Sequence, residues 1–430
     1  MRPFHPLQLT LRKLFTKFSP LLLIGLSWLL SSCAMSDTTG GGGFGGGAVS
    51  QTPANPASRG PFMLGIDVLA GQDFSLLRGK RVGLVTNQTG VNSRGEKTRM
   101  VLKRNVNLVA LYTPEHGLDG RETAGKYVAT RKDPLTGLPA YSLYGVSRKP
   151  TPAMLAGIDV LVFDMQDIGC RSYTYISTMA KCMEACGELG IPFVVLDRPN
   201  PMGGIQVEGP GVEKRWTSFV SQYPIPYRHG LTVGELAYMS NNRGYTQPRC
   251  KLQVVKMQGY RRSMTWPDTG LTWVQSSPNI PHATSPFYYT ATGIAGSASG
   301  FDLGIGGPYP FELVSAPFLP QGPFLEYLRG LNMPGVTFSP YGSGVKINIH
   351  PHSTANLTAL NLYILGYAQR HSKRSLFNKK DPQSILYKVY GSDSIKPYVE
   401  SGRSIDALVA SWEPNVRRFQ AERAPYLLYQ

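Results

Sequence analysis

From residue 61 onward the chain repeats one hydrophobic pattern. A short apolar run rich in β-branched residues ends abruptly in polar and turn-forming residues, and a stretch compatible with a helix follows. Residues 82–85 lead into Thr86-Asn87-Gln88-Thr89-Gly90, and residues 106–112 into Thr113-Pro114-Glu115-His116-Gly117. Residues 158–163 lead into Asp164-Met165-Gln166-Asp167-Ile168-Gly169, and residues 192–196 into Asp197-Arg198-Pro199-Asn200-Pro201. Runs that are apolar throughout suit strands buried on both faces, as in parallel sheets joined by helical crossovers. One crossover helix is predicted over 172–189. Tyr175, Met179, Met183 and Cys186 recur there at three- and four-residue spacing, and Gly190 stands where a C-terminal glycine closes a helix. The pattern predicts an α/β fold with a Rossmann-like, doubly wound, mostly parallel sheet. Ligands bind such sheets beyond the carboxyl ends of the strands, so the four polar clusters are expected to converge.

After Trp273 the text becomes rich in proline and glycine, which disfavours a long helix. A second domain is expected to begin near residue 285, giving domains over 61–285 and 286–430. Within it a strand is predicted over 345–349, a helix over 355–370, and a last helix opening at Ser404 as N-cap.

The N-terminus changes the picture of where this fold works. Arg2, Arg12, Lys13 and Lys17 precede an apolar run over 21–30, which is too short for a permanent membrane helix and suits a signal-peptide core. Leu30-Ser31-Ser32-Cys33 looks like a bacterial lipobox. The expectation is a signal peptide over 1–33, lipidation of Cys33 and a glycine-rich tether over 34–60. That places the protein in a bacterial cell envelope, lipid-anchored and periplasmic or outer-membrane facing.

The 430 residues carry 42% hydrophobic residues, enough to bury a core, and a formal net charge of +17. A basic surface favours an anionic partner. The basic residues are scattered and form no nucleic-acid motif, so no nucleic-acid partner is predicted. No Gly-x-Gly-x-x-Gly follows a strand and no P-loop is present, so no nucleotide cofactor is expected. No histidine or cysteine spacing suits a metal, and Cys170, Cys182, Cys186 and Cys250 are expected as buried thiols.

The strand ends carry the chemistry. Glu115, Asp164, Asp167 and Asp197 lie there with Asn87, His116, Arg171 and Arg198 close in sequence. Paired carboxylates suit glycoside hydrolysis, in which one acid protonates the leaving oxygen and the other acts as nucleophile or as base for a water. Glu115 is placed for the acid. Asp164, Asp167 or Asp197 could each stand opposite it; Asp167 lies nearer a helix start, which favours Asp164. Arg171 and Arg198 could grip a substrate carboxylate or pair with the aspartates. No Gly-x-Ser-x-Gly elbow is present, so a serine nucleophile is disfavoured.

Several of these segments together resemble the exo-β-N-acetylmuramidases, a NamZ-like glycoside hydrolase family. They are residues 82–90, Pro114-Glu115-His116-Gly117, residues 164–175, 196–204, Glu208-Gly209-Pro210, residues 227–235, 390–393 and 426–429. The resemblance runs from about Gly65 to the last residue. It implies a Rossmann-like catalytic domain followed by a smaller α+β auxiliary domain, with the site in the cleft between them. The implied reaction, without a cofactor, releases N-acetylmuramic acid from non-reducing ends of peptidoglycan fragments. Glu115 would be the catalytic acid, and Asp164, Asp167, Arg171, Asp197, Arg198 and His229 would line the sugar site. The chain departs from the family over 296–307, where two glutamates and an arginine are missing from a loop expected to face the cleft. A wall-binding lipoprotein without turnover, or a hydrolase for another amino sugar, is the alternative that this departure raises.

Overall fold

The computed structural model describes residues 62–377 and 385–430. Cys33, the apolar run before it and the glycine-rich tether lie outside the described residues. The larger sheet has seven strands: β1 (Arg81–Thr86), β2 (Asn107–Thr113), β3 (Arg131–Lys132), β4 (Pro139–Ser142), β5 (Val160–Asp164), β6 (Phe193–Leu196) and β7 (Leu252–Val255). Their order is β3-β4-β2-β1-β5-β6-β7, and every pairing is parallel except β3 with β4. The chain passes from β1 to β2 on one side and later returns to add β5 on the other side of β1. The strand order therefore reverses at the β1–β5 pair, the point at which Thr86 stands opposite Asp164.

The unbroken apolar runs are explained by burial on both faces. Val160, Val162, Val194 and Leu196 pack on one face against Ile66, Leu69 and Leu102. Leu161, Phe163, Phe193 and Val195 pack on the other against Met179, Met183 and Leu236. Side chains alternate across the sheet, yet each face meets helices, so neither parity can be polar. The helix Tyr175–Leu189 ends as its pattern predicts, with Gly190 at φ 67° donating its N–H to the Cys186 carbonyl.

The second part of the chain holds a three-stranded antiparallel sheet, β8 (Leu313–Val314), β9 (Val336–Tyr341) and β10 (Gly344–Ile349), in the order β8-β10-β9. The helices Ser285–Thr292 and Leu357–His371 pack together beside it. Ser404 caps the helix Ile405–Ala410, accepting from the Ala407 N–H. Phe287, Val314, Ile347 and Leu360 belong to the same apolar cluster as Phe163 and Met179, so one core runs through both parts. The last residues return to the large sheet. Tyr429 donates its hydroxyl to Asp197 at 2.6 Å and accepts the Met257 N–H at 3.0 Å, and Glu235 accepts the Leu428 N–H at 2.9 Å.

Candidate active site

Beyond the carboxyl end of β2 the chain turns sharply. His116 and Gly117 both adopt left-handed backbone, φ 68° and 76°, and His116 is held there by its Nδ1 contact with the Glu122 carbonyl at 2.7 Å. A non-glycine residue in this region costs on the order of 1 kcal/mol, which the surrounding contacts must offset. The turn aims Glu115 into a cavity of about 680 Å³ between the two parts of the chain. A volume of this size suits a small-molecule or sugar site.

Glu115 is 8% exposed and its carboxylate is fixed at both oxygens. Oε1 accepts the Gly125 N–H at 2.7 Å, and Oε2 accepts the Thr174 hydroxyl at 2.6 Å. Thr174 immediately precedes the helix Tyr175–Leu189, so the crossover helix carries one of the two donors. Tyr144, on another part of the wall, faces Glu115. Burial and the nearby carboxylate push its phenol up to about 12.

The opposite wall is aromatic. Tyr173 and Tyr289 meet edge to face at 6.0 Å between ring centres, and Tyr289 meets Phe311 at 4.9 Å. Ser172 Oγ lies 3.0 Å from both the Tyr227 and Tyr289 hydroxyls, which fixes that wall to the β5 side. A second carboxylate, Asp302, also lines the cavity and accepts the Gly304 N–H at 2.8 Å. Chemically this is an amphipathic pocket, with flat rings for the faces of a sugar and carboxylates for its bonds. Among the described residues no group of three or more His, Cys, Asp or Glu side chains could hold a metal ion.

Two family models, described as the N-terminal and C-terminal parts of exo-β-N-acetylmuramidase NamZ, match residues 82–284 and 287–429. The chain belongs to the NamZ family. It is 38% identical over 404 residues to the peptidoglycan β-N-acetylmuramidase NamZ of Bacillus subtilis strain 168, covering 89% of this chain and 96% of that one. A crystal structure of a DUF1343 family protein from Bacteroides fragilis superposes with a TM-score of 0.79 at 42% identity, covering 86% of this chain and 99% of the other. Another from the same organism gives 0.67 at 26%, with the same coverage.

Of the candidate site residues named from the sequence, Glu115 and His116 line the cavity, together with Ser172, Tyr173 and Thr174 of the 164–175 motif. The expectation that Asp164 stands opposite Glu115 is corrected. Asp164 is fully buried and holds Arg198 in a bidentate pair, Nε to Oδ1 at 2.6 Å and Nη2 to Oδ2 at 2.9 Å. Arg198 spends its remaining reach on the Val91 carbonyl, so it too is unavailable to a substrate. Arg171 is likewise corrected from a substrate fork. It donates to the carbonyls of Pro210, Ile225, Val389 and Tyr390 and to Ser221 Oγ, tying the two parts of the chain together behind the cavity.

The remaining predicted residues are structural in the same way. Asp167 Oδ2 accepts the Gly169 N–H at 2.7 Å while Oδ1 has no partner, and burial pushes its carboxyl up to about 7. Asp197 accepts from the Arg198 and Gly234 N–H groups and from the Thr232 and Tyr429 hydroxyls. Burial raises it to about 7 against those donors. Asn87 closes its own turn, accepting from the Thr89 N–H and hydroxyl. His229 is neutral: burial lowers it to about 3, and its Nδ1 accepts the Leu231 N–H. The polar strand ends do converge, but on one another. Sequence reasoning passed over Tyr144, and it expected the segment 296–307 at the cleft without singling out Asp302 within it. It also missed Thr174, which lies within the 164–175 motif and inside the helix predicted over 172–189, whereas the observed helix begins one residue after it.

Proposed function

We propose that this chain is an exo-acting glycoside hydrolase that releases N-acetylmuramic acid from non-reducing ends of peptidoglycan fragments, with Glu115 as general acid. The observation that carries the assignment is the Glu115 carboxylate, fixed at both oxygens on the wall of a sugar-sized cavity. A general acid must be held within hydrogen-bond reach of the leaving oxygen, and a fixed carboxyl meets that condition without reorganisation. Asp302 takes the place once expected of Asp164 as the second carboxylate. The segment 296–307, where the chain departs from its family, forms part of the wall and supplies Asp302, which favours an enzyme over a bare wall-binding protein.

The targeting segment supports an envelope location and a lipid anchor at Cys33, next to the wall polymer that would be the partner. Release of the chromophore from a chromogenic N-acetyl-β-muramide tests the activity directly. Glu115→Gln should lower kcat/KM by about 10²–10⁴-fold with the fold intact. Unchanged turnover in that variant removes Glu115 from the mechanism, and an inactive wild type removes the function.

A further inference from the structure

N-acetylmuramic acid differs from its neutral relatives by a lactyl carboxylate, and both arginines expected to bind it are buried and fully engaged. The cavity lining contains carboxylates from Glu115 and Asp302 but no lysine or arginine. An anionic sugar entering it would meet uncompensated like charge, unless a cation reaches in from the rim. Arg148 is placed for that. It follows β4, is exposed, and sits with its guanidinium carbon 5.1 Å from the centre of the Tyr144 ring and 4.4 Å from that of Phe219. Tyr144 lines the cavity, and Phe219 adjoins Val220, which also lines it. No carboxylate of the described residues pairs with Arg148. A guanidinium stacked on rings keeps its N–H groups free in its own plane, while the stack limits where they can go.

We propose that Arg148 is a specificity-determining residue, donating a charge-assisted hydrogen bond pair to the lactyl carboxylate of the bound sugar. The proposal rests on the muramidase reading above. Glu115 and Arg148 both lie close to the Tyr144 side chain, so the acid and the guanidinium share one part of the cavity wall. The arrangement requires a sugar whose anomeric oxygen faces Glu115 and whose C3 lactyl substituent reaches the rim at Arg148. Lys126 and Arg121 are also exposed, on the loop that brings Gly125 to the wall, but no aromatic stack holds them.

The test uses a chromogenic N-acetyl-β-muramide as the free acid and as its lactyl methyl ester. Wild type should prefer the acid. Arg148→Met, which keeps the apolar stem, should lose about tenfold to hundredfold in kcat/KM on the acid and little on the ester, abolishing the preference. Arg148→Lys should restore part of it, and Lys126→Met should keep it in full. Calorimetric titration with free N-acetylmuramic acid should show the same ranking without turnover. An Arg148→Met protein that still prefers the acid, or a wild type indifferent to esterification, overturns the role of Arg148 while leaving the muramidase reading standing. A wild type that neither cleaves nor binds either muramide overturns both.

Discussion

Asp164→Asn separates a catalytic carboxylate from a structural one. In the folded protein Asp164 and Arg198 are each about 1% exposed, and both carboxylate oxygens accept from the guanidinium, at 2.6 and 2.9 Å. Removing the negative charge leaves a buried guanidinium whose other contact is the Val91 carbonyl. Deleting one partner of a buried pair costs about 3–5 kcal/mol, and asparagine, which keeps the shape and one acceptor, should fall near 3 kcal/mol. In a unit of this size each kcal/mol moves Tm by roughly 2 °C, so a loss of about 6 °C is expected in differential scanning calorimetry. The same protein, assayed well below its Tm on the chromogenic muramide, should keep kcat/KM within about threefold of wild type. Joint replacement of Asp164 by Leu and Arg198 by Met should recover part of the lost stability, because an apolar pair leaves no stranded charge. The opposite result, wild-type Tm with turnover lost by about 10²-fold or more, would refute the structural assignment and return Asp164 to the mechanism.

Three further outcomes follow from the same geometry. Asp167 titrates near 7 when folded against about 3.9 unfolded, so its stabilising contribution is complete below about pH 4 and is lost as pH rises through 7. Asp167→Asn should therefore flatten the fall of Tm between about pH 4 and 7, and an unchanged slope would contradict a proton on that carboxyl. Asp302→Asn should keep its Tm, since the side chain is exposed, and lose about 10²-fold in kcat. Retained turnover would assign the nucleophile to the sugar's own acetamido group, and anomer-resolved NMR of the first product gives the stereochemistry. Radiolabelled palmitate should enter the wild-type protein in cells and not Cys33→Ala; equal labelling of both would refute the lipid anchor.

How far the fold can be seen in the sequence depends on how local its causes are. β1, β2, β5 and β6 are legible because strands buried on both faces cannot afford polar residues, and Gly190 is legible because its backbone conformation demands glycine. The edge strands β3 and β7 are not, since β3 is two exposed residues and β7 is only partly buried, so neither carries the unbroken apolar run that marks a strand buried on both faces. The same limit governs the site. Glu115 is visible because a strand end followed by a left-handed His116-Gly117 turn exposes it. Tyr144 and Asp302 reach the cavity only through tertiary contacts, from 29 and 187 residues beyond Glu115 in the chain.

The motif residues that do not reach the cavity still bear on its chemistry. From the last residue of β5 to the helix Tyr175–Leu189 the chain crosses eleven residues, 164 to 174, and it is tied down repeatedly along the way. Asp164 holds Arg198, Gln166 bonds Thr89 and the Pro199 carbonyl, Asp167 bonds Gly169, and Arg171 reaches Tyr390. Ser172 meets Tyr227 and Tyr289, and Thr174 ends the run on Glu115. Burying this many polar groups carries a desolvation cost that apolar packing would avoid, so stability alone is a poor reason for them. Their common effect is to fix the hydroxyl that fixes the acid. A displacement of about 1 Å at a general acid can cost about 10²-fold in rate, which is the scale of advantage that such a loop would return. The buried aspartates and arginines therefore bear on catalysis as a set and through position: so many ties hold Thr174 and the cavity wall in place that weakening one of them, as in Asp164→Asn, leaves Glu115 where it is, and none needs to touch the sugar.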